Sequence, residues 1–206
     1  MENDGEGKGQ KKSLAVFKEL AARVFVPRTN KYNSDFFIGK FLPAFKKVLA
    51  LRSFNSEVIH KSSDVLHEPK LDSLKKGTMV RPILSLESEV LGLVIFDQAF
   101  ISESLHFLLG GNEKSTIEII ERELTPLENK TIAQMDASFN VSIREGLKGL
   151  RGLKGLESVN LGPNWQSLEL SRELSLSHNY FLETFQVKGH LTSEVEIFFR
   201  LGTFNI

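Results

Sequence analysis

The chain has 206 residues, 41% hydrophobic and 25% charged, which suits one globular domain with appendages and excludes collagen-like, disordered and disulfide-scaffold proteins. Its 26 Lys and Arg balance 26 Asp and Glu, so no global basic field points to nucleic acid. With no cysteine, disulfides, thiolate zinc sites, iron–sulfur clusters and cysteine nucleophiles are all removed.

Residues 1–12, MENDGEGKGQKK, lack the apolar stretch of a signal peptide and are too polar to repay the entropy of ordering, so a flexible tail is expected. No apolar run approaches the roughly 18 residues a membrane helix needs, and a cytoplasmic protein without a transmembrane segment is the expectation. Ser13 caps a helix carrying Leu14, Phe17, Leu20, Ala21, Val24 and Phe25, which Pro27 stops; with the polar connection Arg28–Asn33 this makes residues 13–33 an N-terminal helix and linker. A second helix is expected from Asp35 to about Arg52, with Phe37, Phe41, Phe45, Val48 and Leu49 on one face and a kink or broken start at Pro43.

Residues 53–77 show weak periodicity and are assigned as loop with short elements. Leu84 and Leu86 alternate with Ser85 and Glu87, and Leu91–Phe96 is a compact apolar run, so the two form a hairpin. A helix from about Gln98 turns Ile101, Leu105, Leu108 and Leu109 inward and ends at Gly110-Gly111, which allow a left-handed cap. Thr125-Pro126-Leu127-Glu128 is the clearest local signal. The hydroxyl caps, proline fits the first helical position, and Glu128 closes a capping box. Ile132, Met135, Phe139, Ile143 and Leu147 follow on a long amphipathic helix that decays into a Gly-Leu-Lys/Arg repeat from Gly146 to Leu156. Tyr180–Lys188 and the alternating Val195, Ile197, Phe199 and Leu201 form a last hairpin across Gly189–Ser193. Hairpins separated by helices point to one mixed or antiparallel sheet covered by helices.

No motif for chemistry stands out. The histidines, His60, His67, His106, His178 and His190, have no metal-ligand spacing and are expected on the surface or in loops, with no cofactor. Ser102 and His106 are i,i+4 neighbours on a helix, yet no nucleophile elbow surrounds them, and a solvated polar face is expected for Ser102-Glu103-Ser104. Glu118, Glu121, Glu123 and Glu128 suit the dipole of a helix N-terminus. Lys148, Arg151 and Lys154 of the repeat make only a weak basic patch.

The segment Leu91–Met135, LGLVIFDQAFISESLHFLLGG followed by an acidic stretch and RELTPLENKTIAQM, resembles the middle domain of the flagellar motor switch protein FliM. The matching features are a strand ending at Asp97, a helix closing on Gly110 and Gly111, and a helix introduced by Thr125–Glu128. Tyr180–Gly202 is similar to the strand pair that follows in that family. The resemblance implies an α/β fold for residues 34–206, a three-layer α/β/α sandwich with a mixed sheet and internal pseudo-twofold symmetry shared with CheC phosphatases. It implies a noncatalytic part in the cytoplasmic ring of the flagellar motor, beside copies of itself and a FliN-like ring protein. The loop Gly110, Gly111, Asn112 and Glu113 would hold the FliG-like switch protein, with Glu113 standing where the family has a glycine.

Ser13–Phe25 lacks the acidic, leucine-rich peptide by which the family binds phosphorylated CheY, and this counts against CheY binding. The chain ends at Ile206, before the SpoA domain expected of full-length members, which suits either a truncated chain or a shortened paralogue. Two alternatives stand beside the motor component. A CheC-type phosphatase needs a Glu and an Asn separated by two residues on a helix, where this chain offers Asp136 and Asn140. A type III secretion sorting-platform component shares ancestry with the switch proteins. Finally, residues 1–76 hold 15 basic and 9 acidic side chains, a net of +6, and residues 77–206 hold 11 and 17, a net of −6. Neutrality is thus the sum of opposed parts, which suits a subunit packing against protein.

Overall fold

The computed structural model describes residues 29–51, 56–66, 76–148, 159–165, 172 and 179–200. The expected N-terminal tail and the helix from Ser13 lie outside these residues, as does the repeat beyond Lys148. From Ser34 onward the described residues belong to one unit, Ser34–Ile206.

Helix α1, Thr29–Leu51, begins before the expected Asp35 and runs through Pro43 without a break. Pro43 and Gly39, four residues earlier, both lie on the exposed side, so the carbonyl that proline leaves without a donor is on the solvent side of the helix. Phe37, Phe41, Phe45 and Leu49 repeat every four residues and are buried.

Strand β1, Glu57–Leu66, corrects the loop assignment of this region. Its weak periodicity has a physical cause. The strand lies at the sheet edge and carries a register shift between His60 and Ser62, so Val58 and His60 share a face with Ser63 and Val65. Strand β2, Met79–Leu84, and strand β3, Val90–Phe96, form the central hairpin. Here β2 lies earlier than expected, and Leu86 is an exposed turn residue rather than a strand residue. Because β2 is buried on both faces, it has no alternating signal.

Helix α2, Gln98–Leu108, and helix α3, Pro126–Leu147, follow. Ile132, Met135, Phe139, Ile143 and Leu147 are all buried, as their spacing requires. Strand β4, Asn160–Leu161, pairs with the outer side of β2. Strands β5, Tyr180–Lys188, and β6, Thr192–Arg200, form the second hairpin.

The sheet order is β1-β5-β6-β3-β2-β4, and every pairing is antiparallel, so the sheet is antiparallel and not mixed. Read inward from either edge, the sequence is an added strand, the first strand of a hairpin, then its second strand. The second strands β6 and β3 meet with Val94 opposite Ile197. This order has the pseudo-twofold symmetry expected of the fold.

All three described helices share one core with one face of the sheet, formed by residues such as Met79, Val94, Phe185, Val195, Ile197 and Phe199. Phe41 stands 4.8 Å from Phe185 between ring centroids, and Phe139 meets Phe45 at 5.1 Å and Phe96 at 5.0 Å, both edge to face. Such pairs add about 0.5–1.5 kcal/mol each beyond burial. Val80, Leu93, Ile95, Tyr180, Leu182 and Phe198 form a second buried cluster on the other face. None of α1, α2 and α3 packs against this cluster, so among the described elements the helices cover one face of the sheet.

Candidate functional site

The loop that joins α2 to α3 is fixed at both ends. Its first anchor is Asp97, which ends β3 and caps α2. One carboxylate oxygen accepts the N–H of Phe100 at 2.7 Å, and the other accepts the N–H of Glu194 at 2.7 Å. The Asp97 N–H also donates to the Glu194 carbonyl at 3.2 Å, so the start of α2 is bonded to β6. Burial raises the Asp97 pKa, while the N–H donors from Phe100 and Glu194 oppose that rise.

At the other end of α2, the N–H of Gly110 donates to Phe107 O at 3.1 Å and that of Gly111 to His106 O at 2.8 Å. Gly110 has φ 90°, a left-handed conformation that releases the chain from the helix and strains any other residue. Leu109, expected inward, is 61% exposed, because the helix ends there and the chain turns outward. Gly111 is packed so closely against His106 that a Cβ would overlap the imidazole. That ring donates from Nε2 to Asn112 O at 3.1 Å. Asn112 Oδ1 then accepts the N–H of Lys114 at 2.9 Å and the hydroxyl of Ser115 at 3.2 Å. The four expected loop residues therefore form one continuous element, with Asn112 and Glu113 exposed.

The return to α3 is held as firmly. The N–H of Ile120 donates to Ser102 Oγ at 2.8 Å, and that hydroxyl donates to Gln98 O at 2.7 Å. Thr125 and Glu128 form the expected capping box, and Arg122 grips both Glu128 oxygens at 2.8 Å. These contacts hold the Glu128 carboxyl at about 2, well below its ordinary 4.5. The loop is thus tethered at both ends, with Asn112, Glu113 and Lys114 exposed between the tethers.

Ser102, Glu103 and Ser104 are buried, which corrects the solvated face expected for them. Ser102 bonds the nearby Gln98 O and the more distant Ile120 N–H, Glu103 bonds a distant turn, and Ser104 Oγ is buried without a hydrogen-bond partner among the described residues. Ser102 and His106 are each engaged elsewhere and form no nucleophile–base pair. Glu103 accepts the backbone N–H of His190 at 2.7 Å and of Leu191 at 3.4 Å, tying α2 to the β5–β6 turn.

Asp136 and Asn140 are committed to internal contacts. Asp136 pairs with the buried Arg81, whose Nε donates to Gly162 O at 2.6 Å. Asn140 Oδ1 accepts the N–H of Leu161 at 2.8 Å. His60 sits on β1, while His106 meets Phe107 edge to face at 5.2 Å and His190 meets it tilted at 5.5 Å. His67 and His178 lie outside the described residues.

One polar cluster has a sequence signal only in the acidic residue that interrupts the apolar run of β5. Glu183 is fully buried on the helix face of the sheet and accepts hydrogen bonds from Ser34 Oγ at 2.5 Å, Ser63 Oγ at 2.8 Å and His60 Nε2 at 2.7 Å. Serine and carboxylate meet the same imidazole nitrogen, with Ser63 Oγ 3.2 Å from Nε2. A nucleophilic relay places them on opposite nitrogens, so this cluster is a structural tie between α1, β1 and β5.

No protein-family model matches the chain, and no curated protein matches it significantly. Solved structures do. A chain from the crystal structure of the FliG-FliM complex of H. pylori aligns with TM-score 0.71 at 14% identity, over 85% of this chain and 95% of that one. The FliM middle domain of H. pylori aligns with TM-score 0.69 at 10% identity, over 86% and 95%. FliY of Thermotoga maritima aligns with TM-score 0.61 at 10% identity, over 87% and 93%. The chain is thus a divergent protein with the fold of the FliM middle domain.

Proposed function

We propose that this chain is a noncatalytic component of the flagellar motor switch complex, in the cytoplasmic ring at the base of the flagellum. In this reading Gly110, Gly111, Asn112 and Glu113 hold a FliG-like switch protein. Other faces pack against copies of the chain and a FliN-like ring protein, so that the ring transmits torque and rotational switching. The observation that carries the proposal is the tethered glycine-pair loop, whose backbone is exposed while α2 fixes it from behind. A neighbour of the same fold comes from a FliG-FliM complex, which supports a partner of that kind. Glu113 gives this loop a carboxylate where the family has a glycine, so the partner surface must accommodate a negative charge.

The engagement of Asp136 by Arg81 and of Asn140 by Leu161 supports the noncatalytic reading over a CheC-type phosphatase. Purification from the native host tests the proposal against both alternatives. Co-purification with FliG supports it, whereas co-purification with a secretion ATPase complex favours the sorting platform. Acceleration of phosphorylated CheY decay by catalytic amounts of the protein would favour the phosphatase.

A further inference from the structure

The glycine-pair loop and the β5–β6 turn are held by adjacent side chains of one helix. Glu103 and His106 are three residues apart on α2 and therefore lie on one side of it. The Glu103 carboxylate binds the N–H groups of His190 and Leu191, and a Cβ at Gly189 would overlap that carboxylate. One helical turn later His106 binds Asn112 O, and a Cβ at Gly111 would overlap its ring. Two loops thus approach α2 through glycines, each against a side chain that also bonds their backbone. Phe107 completes the junction, with the His106 and His190 rings 5.2 and 5.5 Å from its own.

We infer that the turn Gly189–Leu191 is the second half of the docking surface, so that a FliG-like partner bound at Gly110–Glu113 also contacts His190. The inference rests on the functional reading above and extends it to a part of the chain some 80 residues later in sequence. The turn is continuous with the loop through α2. Gly189 and His190 are exposed, as is the loop tip Asn112–Lys114, and Phe107 lies against both the His106 and the His190 rings. The combined surface offers the Leu109 side chain, loop backbone and an imidazole. It fits a partner face with an apolar contact flanked by hydrogen-bond acceptors.

The test is titration of the whole chain with a FliG-like protein, for wild type, Gly111→Trp and His190→Ala, with the His190 imidazole followed by NMR. His190→Ala retains the backbone N–H that Glu103 binds, and a cooperative thermal melt verifies its fold. The inference predicts about a tenfold weaker complex for His190→Ala and a shift of the His190 ring signals on binding. If Gly111→Trp weakens the complex while His190→Ala matches wild type and the ring signals stay in place, the turn is not part of the surface and the loop reading survives. If wild type does not bind at all, the functional reading fails and takes this inference with it.

Discussion

Glu103 on α2 accepts the backbone N–H of His190 at 2.7 Å, although the two residues are 87 positions apart and Glu103 is only 2% exposed. A buried carboxylate that bonds two backbone N–H groups satisfies donors that the β5–β6 turn leaves unpaired.

Glu103→Ala should therefore lower stability by about 2–3 kcal/mol, because it strands those donors. Glu103→Gln retains one acceptor oxygen and should cost less. Gly189→Ala forces a Cβ into the same carboxylate. The two alanine changes combined should cost less than their sum, because removal of the carboxylate removes the overlap. Urea denaturation of the four proteins checks this, and strict additivity would show that the two residues do not meet.

The capping box makes a prediction with a defined pH window. Glu128 ionises at about 2 in the folded chain against an ordinary 4.5, chiefly because Arg122 donates to it. The folded value is depressed, so the stabilisation is present above 4.5 and is lost as pH falls toward 2. Glu128→Ala should cost about 1 kcal/mol at neutral pH and progressively less in acid. A cost independent of pH would contradict the ion pair.

Glu183 behaves with the opposite sign. Burial raises its pKa above 4.5, against the hydrogen bonds from Ser34, Ser63 and His60. Its folded value is raised, so its favourable contribution is complete below 4.5 and is lost as pH rises through that raised value. Glu183→Gln stays neutral, and its stability relative to wild type should improve from about pH 4 to about pH 7. A constant difference across that range would show that the Glu183 ionisation is not linked to folding.

Ser88 has φ 63°, the left-handed region, in the turn between β2 and β3. Ser88→Gly relieves the strain at some entropic cost and should stabilise by about 0.5 kcal/mol. A thermal melt checks it, and a lower midpoint would mean that the serine side chain stabilises the turn by more than the strain costs.

What the sequence made legible depends on whether the determining contacts are local. Thr125 and Glu128 lie three residues apart and bond each other, so the start of α3 was readable in full. The four-residue spacing of Phe37, Phe41 and Phe45 was equally plain, whereas the earlier start at Thr29 and the tolerance of α1 for Pro43 escaped, the latter because exposure at that point is a tertiary property. Strand β1 was hidden because its bulge shifts alternation by one residue at its midpoint. Ser102 and Glu103 were misjudged because a buried polar side chain is stabilised by partners, and theirs, Ile120 and the β5–β6 turn, are supplied by the fold, while Ser104 is buried with its hydroxyl unpartnered among the described residues. The glycine-pair loop was located correctly in sequence. Its connection to His190 depends on folding and has no local signal.

In the proposed function the glycine-pair loop holds a FliG-like switch protein. Isothermal titration of the chain with such a protein, for wild type and Gly111→Trp, tests it most directly. Saturable binding by wild type that Gly111→Trp weakens at least about tenfold, with folding intact, is the predicted result. No binding, or equal affinity for both chains, would contradict it.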